Sequence, residues 1–208
     1  MANNAILLGD SVFDNRAYTD GAPDVAEHLR QALGAAWAVT ALSVDGTTTT
    51  DIGPQLDKIP QSATQLCLSL GGNDALLNAD LLGTPVPSTA DALDLFATRL
   101  DAFDERYRWV LDALTERKLP LLVCTIYEAD LGEQSRRGAT ALRMFNDVIV
   151  RAALAAGANI LDLRTVCDQP SDFVNGIEPS GPAGRNIAQA LASAMGDTPA
   201  GCRLFGAP

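Results

Sequence analysis

The chain contains a single histidine, His28, among its 208 residues. Histidine is the side chain whose ordinary titration range brackets neutral pH, so this scarcity narrows the acid–base chemistry available. Basic residues are also under-represented, 15 against 26 acidic ones, and the formal charge is −11. Nucleic acid and anionic membrane both demand basic patches, so neither is expected as a partner. No apolar run reaches the length of about 18 residues that a membrane span requires. The N-terminal residues Met1 to Asn4 carry no basic region, and the apolar stretch Ala5 to Leu8 is too short for a signal peptide, so it reads as a first strand. Aromatic residues make up only 5% of the chain, while the apolar content of 47% is ordinary for a globular protein. The cysteines Cys67, Cys124, Cys167 and Cys202 show no C-x-x-C spacing. They read as small buried hydrophobes in a reducing, cytoplasmic compartment, with no metal or other cofactor implied.

Short apolar runs recur at 5–8, 38–42, 65–70, 120–125 and 159–163, each of strand length and each bounded by polar or glycine-containing segments. Helical patterns lie between them. Asp24 to Glu27 has the form of a capping box opening a helix with the stripe Val25, Leu29, Ala32 and Leu33. The segment 89–118 keeps Leu93, Phe96, Leu100, Phe103, Tyr107, Val110, Leu111 and Leu114 at helical spacing until Pro120 forbids continuation. Further helices are expected at 139–156 and 181–195. Strands alternating with helices predict parallel pairing, with helices on both faces of the sheet. The expected architecture is one α/β domain over 1–208: a three-layer α/β/α sandwich with a five-stranded parallel sheet and an irregular tail over 196–208.

Ligands of open parallel sheets bind beyond the carboxyl ends of the strands. The residues standing there are Gly9-Asp10-Ser11, then Ser43 to Gly46, then Gly71-Gly72-Asn73-Asp74, then Tyr127 to Asp130, and finally Asn175 to Pro179 after a loop. Taken singly, a glycine after a strand marks a turn and a serine there caps a helix. The specific signal is the pair Gly9-Asp10-Ser11 and Gly71-Gly72-Asn73-Asp74, each ending a strand and in this order.

On those residues the chain resembles the SGNH, or GDSL-type, hydrolases. Leu7 to Ser11 is similar to that family's first block, Asp45-Gly46 to its second and Gly71 to Asp74 to its third. Phe145-Asn146 and Gly184 to Ala188 also match its pattern, so the resemblance covers residues 5–195. It implies a flavodoxin-like α/β/α fold and an ester hydrolase, acting on a small-molecule ester, with Ser11 as nucleophile. It also implies an oxyanion hole made of the Ser11 N–H, the Gly46 N–H and the Asn73 amide. Preorganised donors of this kind are worth about 3 kcal/mol each in acyl transfer. Asp10 reads as a local acceptor that holds the turn.

The last family block, Asp-x-x-His, has no counterpart with a histidine. His28 lies on the first helix beside the core stripe and reads as a packing residue. Asn175-Gly176-Ile177-Glu178-Pro179 stands where the block belongs. Keeping the proline in register puts Glu178 on the histidine position and Asn175 on the aspartate position; a second register puts Asp172 and Asn175 there. In the first, the Asn175 amide can donate to a carboxylate, whereas a second carboxylate would repel it. A glutamate has an ordinary pKa of about 4.3 against about 6.5 for histidine, and burial can raise it. Phe13, Tyr18, Leu76 and Tyr127 are candidates for lining the substrate site. Two other readings stay open. One is a binding or regulatory protein on the same scaffold with little turnover. The other is a divalent-metal site built from Asp10, Asp74 and Glu178. Oligomeric state is not legible.

Overall fold

The computed structural model describes residues 3–128, 132, 135–196 and 203–206. Its central sheet contains β1 (Asn3–Gly9), β2 (Trp37–Ala41), β3 (Gln65–Ser69), β4 (Leu121–Cys124), β5 (Asn159–Leu161) and β8 (Leu204–Phe205), in the order β2-β1-β3-β4-β5-β8. Every pairing is parallel. A separate two-stranded hairpin joins β6 (Phe173–Val174) to β7 (Glu178–Pro179). The helices are α1 (Val25–Leu33), α2 (Gly53–Asp57), α3 (Gly72–Leu77), α4 (Thr89–Thr115), α5 (Ser135–Ala155) and α6 (Gly181–Gly196).

Alternation along the strands sorts their side chains into two cores. Ala5, Leu7, Cys67, Leu122 and Leu161 pack with α1 and α6 through Val25, Leu29, Ile187 and Leu191. Ile6, Leu8, Leu66, Leu68, Val123 and Ile160 face the other way, onto Ile52, Phe103, Tyr107, Phe145 and Ile149 of the α2, α4 and α5 layer. Strands covered on both faces need near-continuous apolar runs, and β3 and β4 are buried at every position. Phe103 binds the second layer together, with ring centroids 5.4 Å from Tyr107 and 5.1 Å from Phe145.

The sheet has six strands, not the expected five. Leu204 and Phe205 pair with Ile160 and Leu161, and the N–H groups of Ile160 and Asp162 donate to the carbonyls of Arg203 and Phe205, each at 2.7 Å. Two residues are too few to carry a period, and it is the unpaired edge of β5 that makes them a strand. Helix boundaries also differ. The long helix ends at Thr115, because Lys118 turns into the left-handed region at φ +55° before Pro120. Helix α5 begins at Ser135, before the expected 139, because its first turn is too polar to show an apolar stripe. The short helices α2 and α3 lack a readable stripe altogether. Ala129, Asp130 and Cys202 lie outside the described residues.

The connection from β1 leads to β2 on one side, and the next strand, β3, returns to the other side of β1. That reversal opens a crevice at the carboxyl ends of β1 and β3, the place where such sheets bind ligands. At this crevice β1 and β3 come unusually close. Gly9 adopts φ +118°, and a Cβ built on it would lie 1.7 Å from the carbonyl oxygen of Ser69. No side chain fits there without parting the two strands. Gly9→Ala should therefore cost at least about 3 kcal/mol or abolish folding, since clash and backbone strain add. Urea unfolding checks this, and a loss below about 1 kcal/mol would contradict the close approach.

Candidate active site

The first wall of the crevice is the turn that follows β1. The Asp10 N–H donates to the Ser69 carbonyl at 3.1 Å, and the Asp10 carbonyl accepts from the N–H groups of Phe13 and Asp14 at 3.2 and 3.1 Å. The chain thus turns sharply over Ser11. The Asp10 carboxylate accepts from the Val12 N–H at 3.2 Å, the local acceptor role expected of it. This carboxyl is buried, and burial drives its pKa from 3.8 up to about 7, against the Val12 hydrogen bond and with help from the charges of Glu178 and Asp74.

The second wall is the turn after β2. The Thr47 N–H donates to the Val44 carbonyl at 3.2 Å, and the Thr47 hydroxyl donates to the same oxygen at 2.6 Å. Gly46 takes φ +80°, which favours glycine. The third wall is the first turn of α3. Gly71, at φ +116°, packs so closely that an added Cβ would lie 3.0 Å from Phe103 Cζ. The helix it starts presents Asn73, whose amide donates to the Thr47 carbonyl at 3.1 Å. Its neighbour Asp74 accepts from the Thr49 N–H and hydroxyl at 3.0 and 2.6 Å, and Arg106 donates to that hydroxyl at 3.1 Å. Asp74 therefore anchors α3 to the loop that carries Gly46.

The fourth wall is the β6–β7 hairpin. Asn175 sits at φ +52°, and its Oδ1 accepts from the N–H groups of Ile177 and Glu178, both at 3.4 Å. The Tyr127 hydroxyl donates to the Ile177 carbonyl at 2.7 Å, and the Asn15 amide donates to the Pro179 carbonyl at 3.2 Å. These bonds hold Glu178 against the turn that carries Ser11. Burial raises the pKa of Glu178; the nearby Ser11 hydroxyl opposes that rise and the Asp45 charge adds to it. Glu178 Oε2 is buried without a hydrogen-bond partner.

Ser11, Asn73, Asp10 and Glu178 line one cavity of about 130 Å³, which runs from the sheet edge beneath α3 towards α5. Its remaining lining is largely apolar and includes Leu76, Leu82, Phe96, Tyr127, Leu142 and Phe145. Of the side chains expected to line the site, Leu76 and Tyr127 border this cavity, while Phe13 and Tyr18 do not touch it. Phe13 is buried in the core with Val25 and Leu29, and the Tyr18 hydroxyl donates to Asp45 at 2.6 Å. His28 is buried on α1, in the layer that packs on α6. Asn175 bonds the backbone N–H of Glu178 through Oδ1, where its amide was expected to donate to the carboxylate. Asp172, the other register's candidate, spends its carboxylate on the N–H groups of Asp168 and Gln169 at 3.1 and 3.0 Å. Among the described residues no cluster of acidic, cysteine or histidine side chains is arranged to hold a metal, and no helix is long and apolar enough to cross a membrane. Thr47, Thr49, Asn15 and Gln55 were not anticipated. The run of threonines at 47–50 was a visible signal for two of them.

A parallel sheet between helices, with a Gly-Asp-Ser turn facing a Gly-Gly-Asn-Asp helix start, defines the SGNH-type α/β/α class. The chain belongs to the GDSL-like lipase/acylhydrolase family, whose model matches residues 7–181. Solved structures share the fold. An extracellular lipase from Streptomyces rimosus is 18% identical with a TM-score of 0.67, covering 93% of this chain and 100% of its own. A lipase/acylhydrolase from Enterococcus faecalis is 19% identical with a TM-score of 0.66, covering 92% and 96%. An acetyl xylan esterase is 16% identical with a TM-score of 0.68, covering 92% and 98%. No curated protein gives a significant sequence match.

The raised pKa of Asp10 has a stability consequence. A carboxyl with a folded pKa of about 7 and an unfolded one near 3.8 stays protonated in the folded chain after the unfolded chain has released its proton. Stability is then fully present below about pH 4 and falls as pH rises towards 7. Asp10→Asn keeps an acceptor for Val12 and removes the titration. Thermal melts should show the variant gaining on wild type between about pH 4 and pH 7, by up to a few kcal/mol, and holding that gain at higher pH. An identical pH dependence in both proteins would contradict the buried, titrating carboxyl.

Proposed function

We propose that the chain is an ester hydrolase in which Ser11 is the nucleophile and Glu178 its base. The observation that carries the reading is that Ser11, Asn73 and Glu178 line the same cavity, with the Ser11 hydroxyl close enough to Glu178 to affect its titration. Ser11 Oγ attacks the ester carbonyl carbon, and its proton passes to the Glu178 carboxylate. Negative charge collects on the carbonyl oxygen, where the N–H groups of Ser11 and Gly46 and the Asn73 amide receive it. The second amide hydrogen of Asn73 serves here, since one is held by Thr47. Collapse breaks the bond to the alcohol, which leaves with the proton from Glu178. Water then attacks the acyl-serine, again giving its proton to Glu178, and a second collapse frees the acid and restores Ser11. Asn175 is a positioning residue that sets Glu178 through the turn.

The absent imidazole is offset by the burial that raises Glu178 towards the range where a base works best. The family membership and the esterase and lipase names of the structural neighbours support the reaction class. The cavity suits the acyl group. An engineered apolar cavity of about 150 Å³ admits benzene, so about 130 Å³ fits an acyl chain of up to roughly six carbons.

The expected results are specific. Purified protein should hydrolyse 4-nitrophenyl esters, with rates that fall for acyl chains beyond about six carbons. Ser11→Ala should be inactive. Glu178→Gln should lose about 10²- to 10⁴-fold in kcat. Activity should rise with pH through one step displaced upward from the ordinary glutamate range, because the base must be ionised. A folded wild type with no turnover on any ester would favour a binding protein on this scaffold. A Glu178→Gln variant with wild-type rates across the pH range would remove Glu178 as the base.

A further inference from the structure

Gly9 reaches the end of β1 where β2 has already left it: the last β1–β2 pair is Leu7 with Ala41. The groups of Gly9 on that side would face an empty sheet edge. Gln55 fills it. Its Oε1 accepts from the Gly9 N–H at 2.8 Å, and its Nε2 donates to the Gly9 carbonyl at 2.8 Å and to the Thr47 hydroxyl at 3.1 Å. The Gly9 carbonyl also accepts from the Val44 N–H at 3.0 Å, and the Thr47 hydroxyl donates to the Val44 carbonyl. Gly9, Val44, Thr47 and Gln55 thereby form a closed ring of hydrogen bonds.

Each oxyanion donor is tied to that ring. The Ser11 N–H is two residues from Gly9, and the Gly46 N–H lies between Val44 and Thr47. The Asn73 amide donates to the Thr47 carbonyl. Gln55 itself cannot wander, because its side chain is buried and α2 is pinned to the core by Ile52 and Leu56 on either side of it. An amide does this with one side chain, since Oε1 accepts from the Gly9 N–H while Nε2 has two hydrogens for the Gly9 carbonyl and the Thr47 hydroxyl. A glutamate of the same shape would, when ionised, set two acceptors against each other and, when protonated, have a single O–H for the two oxygens that Nε2 serves.

We propose that Gln55 is a positioning residue for acyl transfer, holding the Ser11 turn and the Gly46 loop at the spacing the oxyanion needs, with Thr47 relaying that spacing to Asn73. The inference rests on Ser11 being the nucleophile. Oxyanion stabilisation depends on donors held within tenths of an ångström, and a misplacement of about 1 Å can cost about 100-fold. Because the donors act on charge that develops only in the transition state, the loss falls on kcat and not on KM.

The test uses Gln55→Glu, Thr47→Val and the conservative Thr47→Ser in the full chain. Three quantities are read: the rate at which a fluorophosphonate modifies Ser11, followed by intact mass; kcat and KM on 4-nitrophenyl butyrate; and the thermal midpoint. Gln55→Glu and Thr47→Val should lose about 10- to 100-fold in labelling rate and kcat at temperatures where they are folded, with KM within about twofold. Thr47→Ser keeps the hydroxyl and should stay within about threefold of wild type. If Gln55→Glu does not fold, the two Thr47 variants decide the matter. A folded Gln55→Glu that labels at the wild-type rate, a loss confined to KM, or equal impairment of Thr47→Ser and Thr47→Val would overturn the inference. A wild type that the probe leaves unmodified at Ser11 would overturn the reading of Ser11 as nucleophile, and this inference with it.

Discussion

The contact between Gly9 and the Ser69 carbonyl is the constraint on which the site depends. With a Cβ at Gly9 only 1.7 Å from that oxygen, β1 and β3 could not both end where they do. Their close ends bring the Ser11 turn and the α3 start together, so that a serine and an asparagine far apart in the chain line one cavity. The cost of such an approach is a set of backbone groups with no strand to bond them, and buried groups of that kind must be satisfied locally. Much of the polar architecture around the crevice answers that demand: Val44 and Gln55 on Gly9, Asp74 on Thr49, and Asn15 on Pro179.

The electrostatics follow from the same compression. Asp10 and Asp74 are buried and Glu178 is half-buried at the sheet edge, and no basic side chain lines the cavity that Asp10 and Glu178 share. In water such carboxyls would be ionised well below neutral pH. Here loss of hydration raises Asp10 and Glu178 alike, with the charges of Glu178 and Asp74 adding to the rise of Asp10 and the charge of Asp45 to that of Glu178. With no histidine lining the cavity, burial leaves the site with Asp10 titrating near neutrality and Glu178 raised in the same direction. Environment supplies what residue type does not.

Much of this was legible in the sequence, for identifiable reasons. Strands β1, β3 and β4 are buried on both faces, so their apolar runs stood out, and the amphipathic stripes of α1 and α4 gave their positions to within a few residues. As sequence motifs, Ser11, Gly46 and Asn73 stood out because glycines that permit unusual backbone angles flank or form them, and Glu178 because Pro179 sets its register. Leu204–Phe205 could not be read, because a two-residue strand is made by the edge it joins. Phe13, a candidate for lining the site, is directed by the turn into the core. Asn175 was expected to offer its amide and instead uses its carbonyl oxygen, a choice dictated by the left-handed turn it occupies. Gln55 gave no local signal, since its partners are 46 and 8 residues away.

Asn146 treats Ile126 much as Gln55 treats Gly9: its Oδ1 accepts from the Ile126 N–H at 2.8 Å and its Nδ2 donates to the Ile126 carbonyl at 2.7 Å. In both places a side-chain amide imitates one peptide unit of a missing neighbour strand. The imitation separates two demands that a sheet normally makes together. The strands that build the core need partners along their whole length, but the segments that leave them need only one amide apiece. Loops at this end of the sheet are therefore free to change in length and course over evolutionary time without unzipping the strands beneath, so one scaffold can present new rims around an unchanged floor.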